Sequence, residues 1–200
     1  MPSYKLSYFD ATGKAELTRL CFAYGELKFE DFRFTREEFP ALKETYPTKQ
    51  APVLEVDGVM YSQSIAIARY VAKQVGLYPK DDLLALKADM VVDTLTDVVN
   101  AAMKVLFGSQ DGTPERETMM KNLLDVQMPK YYGSLNALVS GKFFCGDSPT
   151  YADIFLTDLT TTLFQKAVPQ VTLESYKNLA NVVENVRKLP SIEAYYEKKV

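Results

Sequence analysis

The run Val53-Leu54-Glu55-Val56-Asp57-Gly58-Val59-Met60-Tyr61 decides the fold. Two short apolar stretches flank an Asp-Gly pair, and a type I′ turn needs positive φ at both central residues, which Asp and Gly tolerate. The spacing predicts a β-hairpin. After it, from Ser62 onward, Ile67, Ala68, Val71, Ala72 and Val75 recur at helical spacing opposite Arg69 and Lys73, which predicts a helix. Towards the N-terminus, Tyr4, Leu6 and Tyr8 alternate with Lys5 and Ser7, the signature of a strand ending at Tyr8. Asp10-Ala11-Thr12-Gly13 reads as a turn. Residues 14–24 then set Leu17, Leu20, Cys21 and Tyr24 on one helical face before Gly25, and residues 28–34 read as a second strand. A polar stretch, 35–49, holds an irregular helix around 37–44 and ends at Pro47. The order is βαβ, short α, ββ, α.

Beyond this point the signals change. Residues 76–82 combine Gly, Pro and adjacent acids without periodicity, as a linker does, and everything after reads helical. A long helix is predicted over 83–107. Thr113-Pro114-Glu115 opens another, with an N-cap, a proline at the first position and acid in the first turn, and Pro129 is expected to kink it. Thr150-Tyr151-Ala152-Asp153 has the form of a capping box, followed by a buried stripe of Ala152, Phe155, Leu156, Leu159 and Leu163. A last helix is expected over 192–199, after Pro190. The fold class is therefore α/β plus all-α: a thioredoxin-like βαβαββα domain over 1–78, a linker over 79–82, and an all-helical domain over 83–200.

Composition bounds the chemistry. Of 200 residues 47% are hydrophobic and 24% charged, and no apolar run approaches the ~20 residues that span a bilayer. Twenty-three Lys and Arg against 26 Asp and Glu give a net charge of −3, with no basic block to follow a phosphate backbone. Neither membrane nor nucleic acid is expected as a partner. The absence of histidine removes Ser/His and Cys/His nucleophiles and imidazole-ligated zinc, so no metal site is expected. Cys21 and Cys145 lie far apart with no Cys-x-x-Cys pair, and residues 1–8 lack the apolar core of a signal peptide. Reduced thiols in a cytoplasmic protein are the expectation, and the C-terminal Lys198-Lys199-Val200 carries no lipidation or organelle-address motif.

Tyr4-Lys5-Leu6-Ser7-Tyr8-Phe9-Asp10 with Gly13 and Ala15-Glu16, Ala51-Pro52-Val53-Leu54, and Gln63-Ser64-Ile65-Ala66-Ile67-Ala68-Arg69-Tyr70 together resemble a cytosolic glutathione S-transferase. The nearest resemblance is to the sigma class, which includes glutathione-dependent prostaglandin D synthases, and it covers nearly the whole chain. It implies a homodimeric transferase that joins glutathione, a co-substrate rather than a bound cofactor, to small hydrophobic electrophiles in detoxification.

The resemblance also implies roles for particular residues. A tyrosine ending a strand is, taken alone, a packing residue more often than a catalyst; here the flanking motif assigns the Tyr8 hydroxyl to the glutathione sulfur. Pro52 is expected to follow a cis bond, with the Ala51 amide and carbonyl turned outward to pair with glutathione, and Gln50 lies beside them. Gln63 and Ser64, at a helix start, are expected to meet the γ-glutamyl carboxylate, and Lys43 the glycine carboxylate. Asp89, Asp93 and Asp97 repeat at i, i+4 on the long helix. Such a stripe reads as a solvated face, but Asp97 matches the position from which the partner subunit reaches the γ-glutamyl amine. Phe9, Lys14, Met103 and Phe107 are expected around the electrophile.

Two positions depart from the family pattern. Phe39 replaces a common Trp and so offers no indole donor to the glycine end, and Lys14 replaces an Arg beside the sulfur. Two other readings stay open: a glutathione-dependent isomerase or peroxidase of the prostaglandin D synthase type, and a low-activity binding or crystallin-like structural protein. A disulfide oxidoreductase fails at the nucleophile, because Tyr8-Phe9-Asp10 stands where that chemistry needs a cysteine.

Overall fold

Asp57 and Gly58 both take positive φ, 49° and 84°, and the turn they make pairs Val56 with Val59. In this computed structural model, which describes residues 2–198, the hairpin is one half of a four-stranded sheet. Its strands are β1 (Tyr4–Phe9), β2 (Glu30–Phe34), β3 (Val53–Val56) and β4 (Val59–Ser62), in the order β2-β1-β3-β4. β1 runs parallel to β2 and antiparallel to β3, and β3 is antiparallel to β4. Met1, Lys199 (the expected end of the last helix) and Val200 (the expected end of the second domain) lie outside the described residues.

Alternation along β1 sorts the helices. Tyr4 and Leu6 face α1 (Glu16–Tyr24, entered through a 3₁₀ turn, Gly13–Ala15) and α3 (Ser64–Gln74), with the Tyr4 ring 5.4 Å from Phe22 and 6.4 Å from Tyr70. Phe9 lies on the opposite face, in a cluster with Phe34, Tyr46, Val53 and Phe39 of the short α2 (Phe39–Leu42). A 3₁₀ turn, Lys43–Thr45, completes the irregular helix expected around 37–44.

The chain divides into two compact units. One runs up to Tyr78 and takes back the segment from Leu189 onward; the other is Pro79–Lys188. The return of the C-terminal segment is a difference from the sequence reading, which gave 189–200 to the helical domain. Its helix, placed with the first unit, packs on α1, and the Ser191 hydroxyl donates to the Tyr24 carbonyl at 3.3 Å. Within the expected linker, Asp81 already caps the next helix, accepting from the Leu83 and Leu84 amides at 3.0 and 2.9 Å.

The second unit is helical: α4 (Asp82–Gly108), α5 (Pro114–Asn122), α6 (Met128–Leu138), α7 (Tyr151–Asp158), α8 (Gln165–Ala167) and α9 (Lys177–Arg187), with α10 (Pro190–Glu197) the returning helix of the first unit. Thr113 caps α5 as its sequence predicts, its hydroxyl accepting from the Arg116 amide at 3.3 Å. At the expected Pro129 kink the chain makes a π turn, Leu123–Gln127, which lets the helix pass a residue with no N–H to give. A second π turn, Leu159–Phe164, changes the register after α7, so that Phe164 is buried where Leu163 was expected and Leu163 is only half-buried. No helix among the described residues is long and apolar enough to cross a membrane.

Candidate active site

The pairing register aligns Ser7, Val53 and Ser62 in one row across β1, β3 and β4. One residue further, Tyr8, Pro52 and Gln63 all stand at the same end of the sheet. β2 ends there too, because Phe9 pairs with Phe34. Four loop segments therefore gather at this end, and with them most of the residues the sequence singles out in the first unit. The Ala51–Pro52 bond is cis, and Gln63 holds φ of 79°, a conformation that a side chain other than glycine rarely adopts. Ser64 opens α3, whose eleven residues put free amides and a positive dipole end at its start.

The hydroxyl of Tyr8 is held by backbone. The Lys14 amide donates to it at 3.1 Å, which draws electron density from the phenol oxygen and strengthens its O–H as a donor. Gly13 makes this approach possible: a Cβ there would lie 2.6 Å from the Tyr8 oxygen, and its φ of 46° favours glycine as well. A cleft of about 640 Å³ opens beside Tyr8, bordered by Phe9, Phe34 and Phe39. These three rings pack together at centroid distances of 4.8 to 5.7 Å, so Phe39 supplies an apolar wall.

The remaining candidates are less drawn together. Lys14 reaches Tyr8 through its amide, while its side chain is exposed. Ala51 packs against the Phe34 cluster, Gln50 is exposed, and Lys43 is half-buried in its 3₁₀ turn. On α4 the acidic stripe splits: Asp93 and Asp97 are exposed, but Asp89 is half-buried and accepts a hydrogen bond from the Tyr151 hydroxyl. That is a correction to a wholly solvated face. Met103 is half-buried and Phe107 is 80% exposed. Cys21 is buried, and burial pushes the Cys145 thiol up to about 11, away from the thiolate that redox chemistry needs.

One group of residues was not found by the sequence reading. Glu16 and Arg19 of α1 are buried, at 0% and 1% exposure. Arg19 Nη1 donates to the carbonyls of Ala11 and Thr12 at 2.8 and 3.3 Å and to Glu16 at 3.1 Å, while Nε donates to Asp31 at 3.0 Å. The turn that carries the Lys14 amide is thus anchored from below. An i, i+3 pair of opposite charges on an otherwise apolar helix was the available signal, yet on its own it fits a surface pair equally well.

Fold and site together define a thioredoxin-like domain that offers a phenol, in place of a cysteine, at the end of its first strand. Residues 4–73 match the glutathione S-transferase N-terminal domain family, and residues 96–199 match a glutathione S-transferase C-terminal domain family. A glutathione S-transferase of Anopheles gambiae is 38% identical over 100% of this chain and 98% of its own. The hematopoietic prostaglandin D synthase of Mus musculus is 36% identical with the same coverage. Among solved structures, a monomeric glutathione S-transferase of the hookworm Necator americanus superimposes with a TM-score of 0.87 at 30% identity, covering 99% of this chain and 98% of its own. The chain belongs to the glutathione S-transferase family.

Proposed function

We propose that the protein conjugates glutathione to small hydrophobic electrophiles, with the Tyr8 hydroxyl holding the thiolate. The observation that carries this is the backbone-held phenol at the sheet end, open to a cleft with an aromatic wall of Phe9, Phe34 and Phe39 and a polar side of Asp10, Thr35 and Arg36. A free thiol with a pKa of about 8.5 is only a few per cent ionised at neutral pH, and lowering that pKa by about two units takes roughly 2.7 kcal/mol of preference for the anion. A phenol donating to sulfur, itself polarised by the Lys14 amide, contributes in that direction. The thiolate then attacks the electrophilic carbon, forming the S–C bond as the leaving group departs with its electron pair.

The sheet end suits a short peptide. Two strand spacings of ~4.8 Å separate the Tyr8 position from that of Gln63, a distance suited to a cysteine side chain joined to an extended γ-glutamyl arm. With its sulfur at Tyr8, the γ-glutamyl carboxylate falls to the Gln63–Ser64 entry of α3, beside Ala51 and Pro52. The glycine end is assigned to Phe39, Lys43 and Gln50. In this reading the first unit, with the chain up to Tyr78, is the glutathione-binding domain. Phe9 and Lys14 are its contacts with the electrophile.

The active form in this proposal is a homodimer. Leu83, Leu86 and Met90 are exposed at 76%, 64% and 43%, and Asp93 and Asp97 continue the same face of α4. Val59, Met60 and Tyr61 are exposed on the edge strand β4. Exposed apolar residues of this kind, on each unit, favour association, with Asp97 delivered to the partner's γ-glutamyl amine. Sedimentation equilibrium tests it, and a monomer would match the state stated for the hookworm neighbour.

The mechanism is tested by following the ultraviolet absorbance of the thiolate of bound glutathione against pH. The expected apparent pKa lies well below that of free glutathione and returns towards it in Tyr8→Phe. Glutathione bound with an unshifted pKa would point to a carrier or crystallin-like role. The prostaglandin D synthase relative supports a second reading, a glutathione-dependent isomerisation by the same thiolate. It is separated by stoichiometry, since an isomerase turns over without consuming glutathione.

A further inference from the structure

We propose that Arg19 is a positioning residue for the Tyr8 hydroxyl, and that Tyr195 of α10 holds Arg19 in place through Glu16. The inference rests on the assignment of Tyr8 to the glutathione sulfur. It begins from a cost: a carboxylate and a guanidinium inside a protein are unfavourable unless their hydrogen bonds are nearly all made. Here Glu16 and the Nε and Nη1 atoms of Arg19 are engaged, while the buried Nη2 has no partner among the described residues, so the pair is held through one edge of the guanidinium. The Tyr195 hydroxyl donates to Glu16 Oε1 at 2.9 Å, and Glu16 Oε2 accepts from Arg19 Nη1 at 3.1 Å. The same Nη1 holds the Ala11 and Thr12 carbonyls at 2.8 and 3.3 Å.

Those two peptide groups directly precede Gly13 and Lys14. With their carbonyls turned down to the guanidinium, the chain rises so that the Lys14 amide meets the Tyr8 oxygen at 3.1 Å. The Arg19 guanidinium carbon also stands 6.0 Å from the centre of the Tyr8 ring. A second set of ion pairs secures the other side: Asp31 takes Arg19 Nε at 3.0 Å, and Arg33 bridges Asp31 to Asp10 at 2.9 and 3.1 Å. Burial and the adjacent Glu16 carboxylate raise the Tyr195 phenol well above its usual range, so it remains a donor at every working pH. The consequence is a route from the chain's C-terminal helix to the reacting hydroxyl, at opposite ends of the sequence, through four hydrogen bonds and the backbone between Ala11 and Lys14.

Arg19→Lys tests the fork, since an ammonium keeps the charge but cannot hold Nε and Nη1 partners together. Tyr195→Phe tests the helix link by removing one oxygen. For both, the thiolate titration of bound glutathione, kcat, KM for glutathione and Tm are measured beside Tyr8→Phe. The expected result is a thiol pKa displaced upward in the order Tyr8→Phe, Arg19→Lys, Tyr195→Phe. In Arg19→Lys, kcat falls roughly tenfold, within the ~100-fold that an ångström of misplacement costs, while KM stays within about twofold. Tyr195→Phe keeps the fold and so carries the test if Arg19→Lys does not fold. If Tyr8→Phe raises the thiol pKa but both other variants only lower Tm, Arg19 and Tyr195 are structural and the proposal is overturned. If Tyr8→Phe itself leaves the thiol pKa unchanged, the assignment of Tyr8 falls, and this inference with it.

Discussion

Two buried carboxylates, one in each unit, show how differently the two parts of the chain are held. Glu16 in α1 accepts from the side chains of Arg19 and Tyr195, and the latter comes from the far end of the sequence. Asp153 in α7 accepts from close by: the Thr150 amide at 2.7 Å, the Thr150 hydroxyl at 2.8 Å and the Phe144 amide at 2.8 Å. The second arrangement is a capping box that closes the start of a helix whose every residue, Tyr151–Asp158, is buried. The first unit uses a buried charge to orient a turn at its site, whereas the second uses one to begin a helix in its core. Disturbing the first is expected to change chemistry, and disturbing the second to change stability.

The sharpest break of that contrast is Tyr8→Phe. Removing one donor to a developing anion costs about 10²–10³ in rate, and kcat/KM for a standard electrophile is expected to fall by that order while Tm stays within ~2 °C. A large loss of Tm would mean that Tyr8 is a packing residue. Asp153→Ala is the mirror experiment. It orphans two buried amides and a hydroxyl, and denaturant unfolding is expected to show a loss of roughly 3 kcal/mol with kcat per folded molecule unchanged.

Asp153 also gives the contrast a pH signature. Burial raises its carboxyl from 3.8 to about 6, against the opposing pull of the Phe144 and Thr150 donors. The native state therefore holds this proton more tightly than the unfolded chain, so the contribution to stability is greatest below about pH 4. It declines as pH rises towards 6 and is flat above. The two-unit displacement amounts to about 3 kcal/mol at most. Urea unfolding at pH 5 and pH 7.5 should show the wild type gaining on Asp153→Asn at the lower pH. Equal differences at both values would mean that the carboxyl titrates normally.

Gly13→Ala joins the two kinds of effect and is the smallest. The new methyl meets the Tyr8 oxygen in a backbone conformation unfavourable to alanine, for a stability loss of about 1–2 kcal/mol. Activity should fall by roughly tenfold as the hydroxyl is displaced. Full activity with reduced stability would show that the Tyr8 hydroxyl can move without loss.

Local chemistry made several of these elements legible in the chain. Asp57-Gly58 needs only its own φ preferences to make a hairpin, and Thr113 and Thr150 cap helices within four residues of themselves. Tyr8 at a strand end follows from alternation alone. Reading it as part of a site required the resemblance carried by its neighbours, because a phenol on β1 looks the same whether it packs or reacts. The π turns were not legible, since an i to i+5 pattern differs from an α-helix by one residue and leaves apolar spacing nearly unchanged.

The sequence by itself determined the strand and helix order, the turn at Asp57-Gly58, the helix starts and the chemistry that a histidine-free chain leaves available. These depend on residues within a few positions of one another, where dihedral preferences and side-chain reach are enough. Only the tertiary structure decided that Glu16 and Arg19 are buried, that the segment from Leu189 returns to the first unit, and that Tyr195 closes the network beneath Tyr8. The physical reason is that a charged pair on a helix is inexpensive in water and unfavourable in a core. Which of these applies is set by what the rest of the chain packs against it.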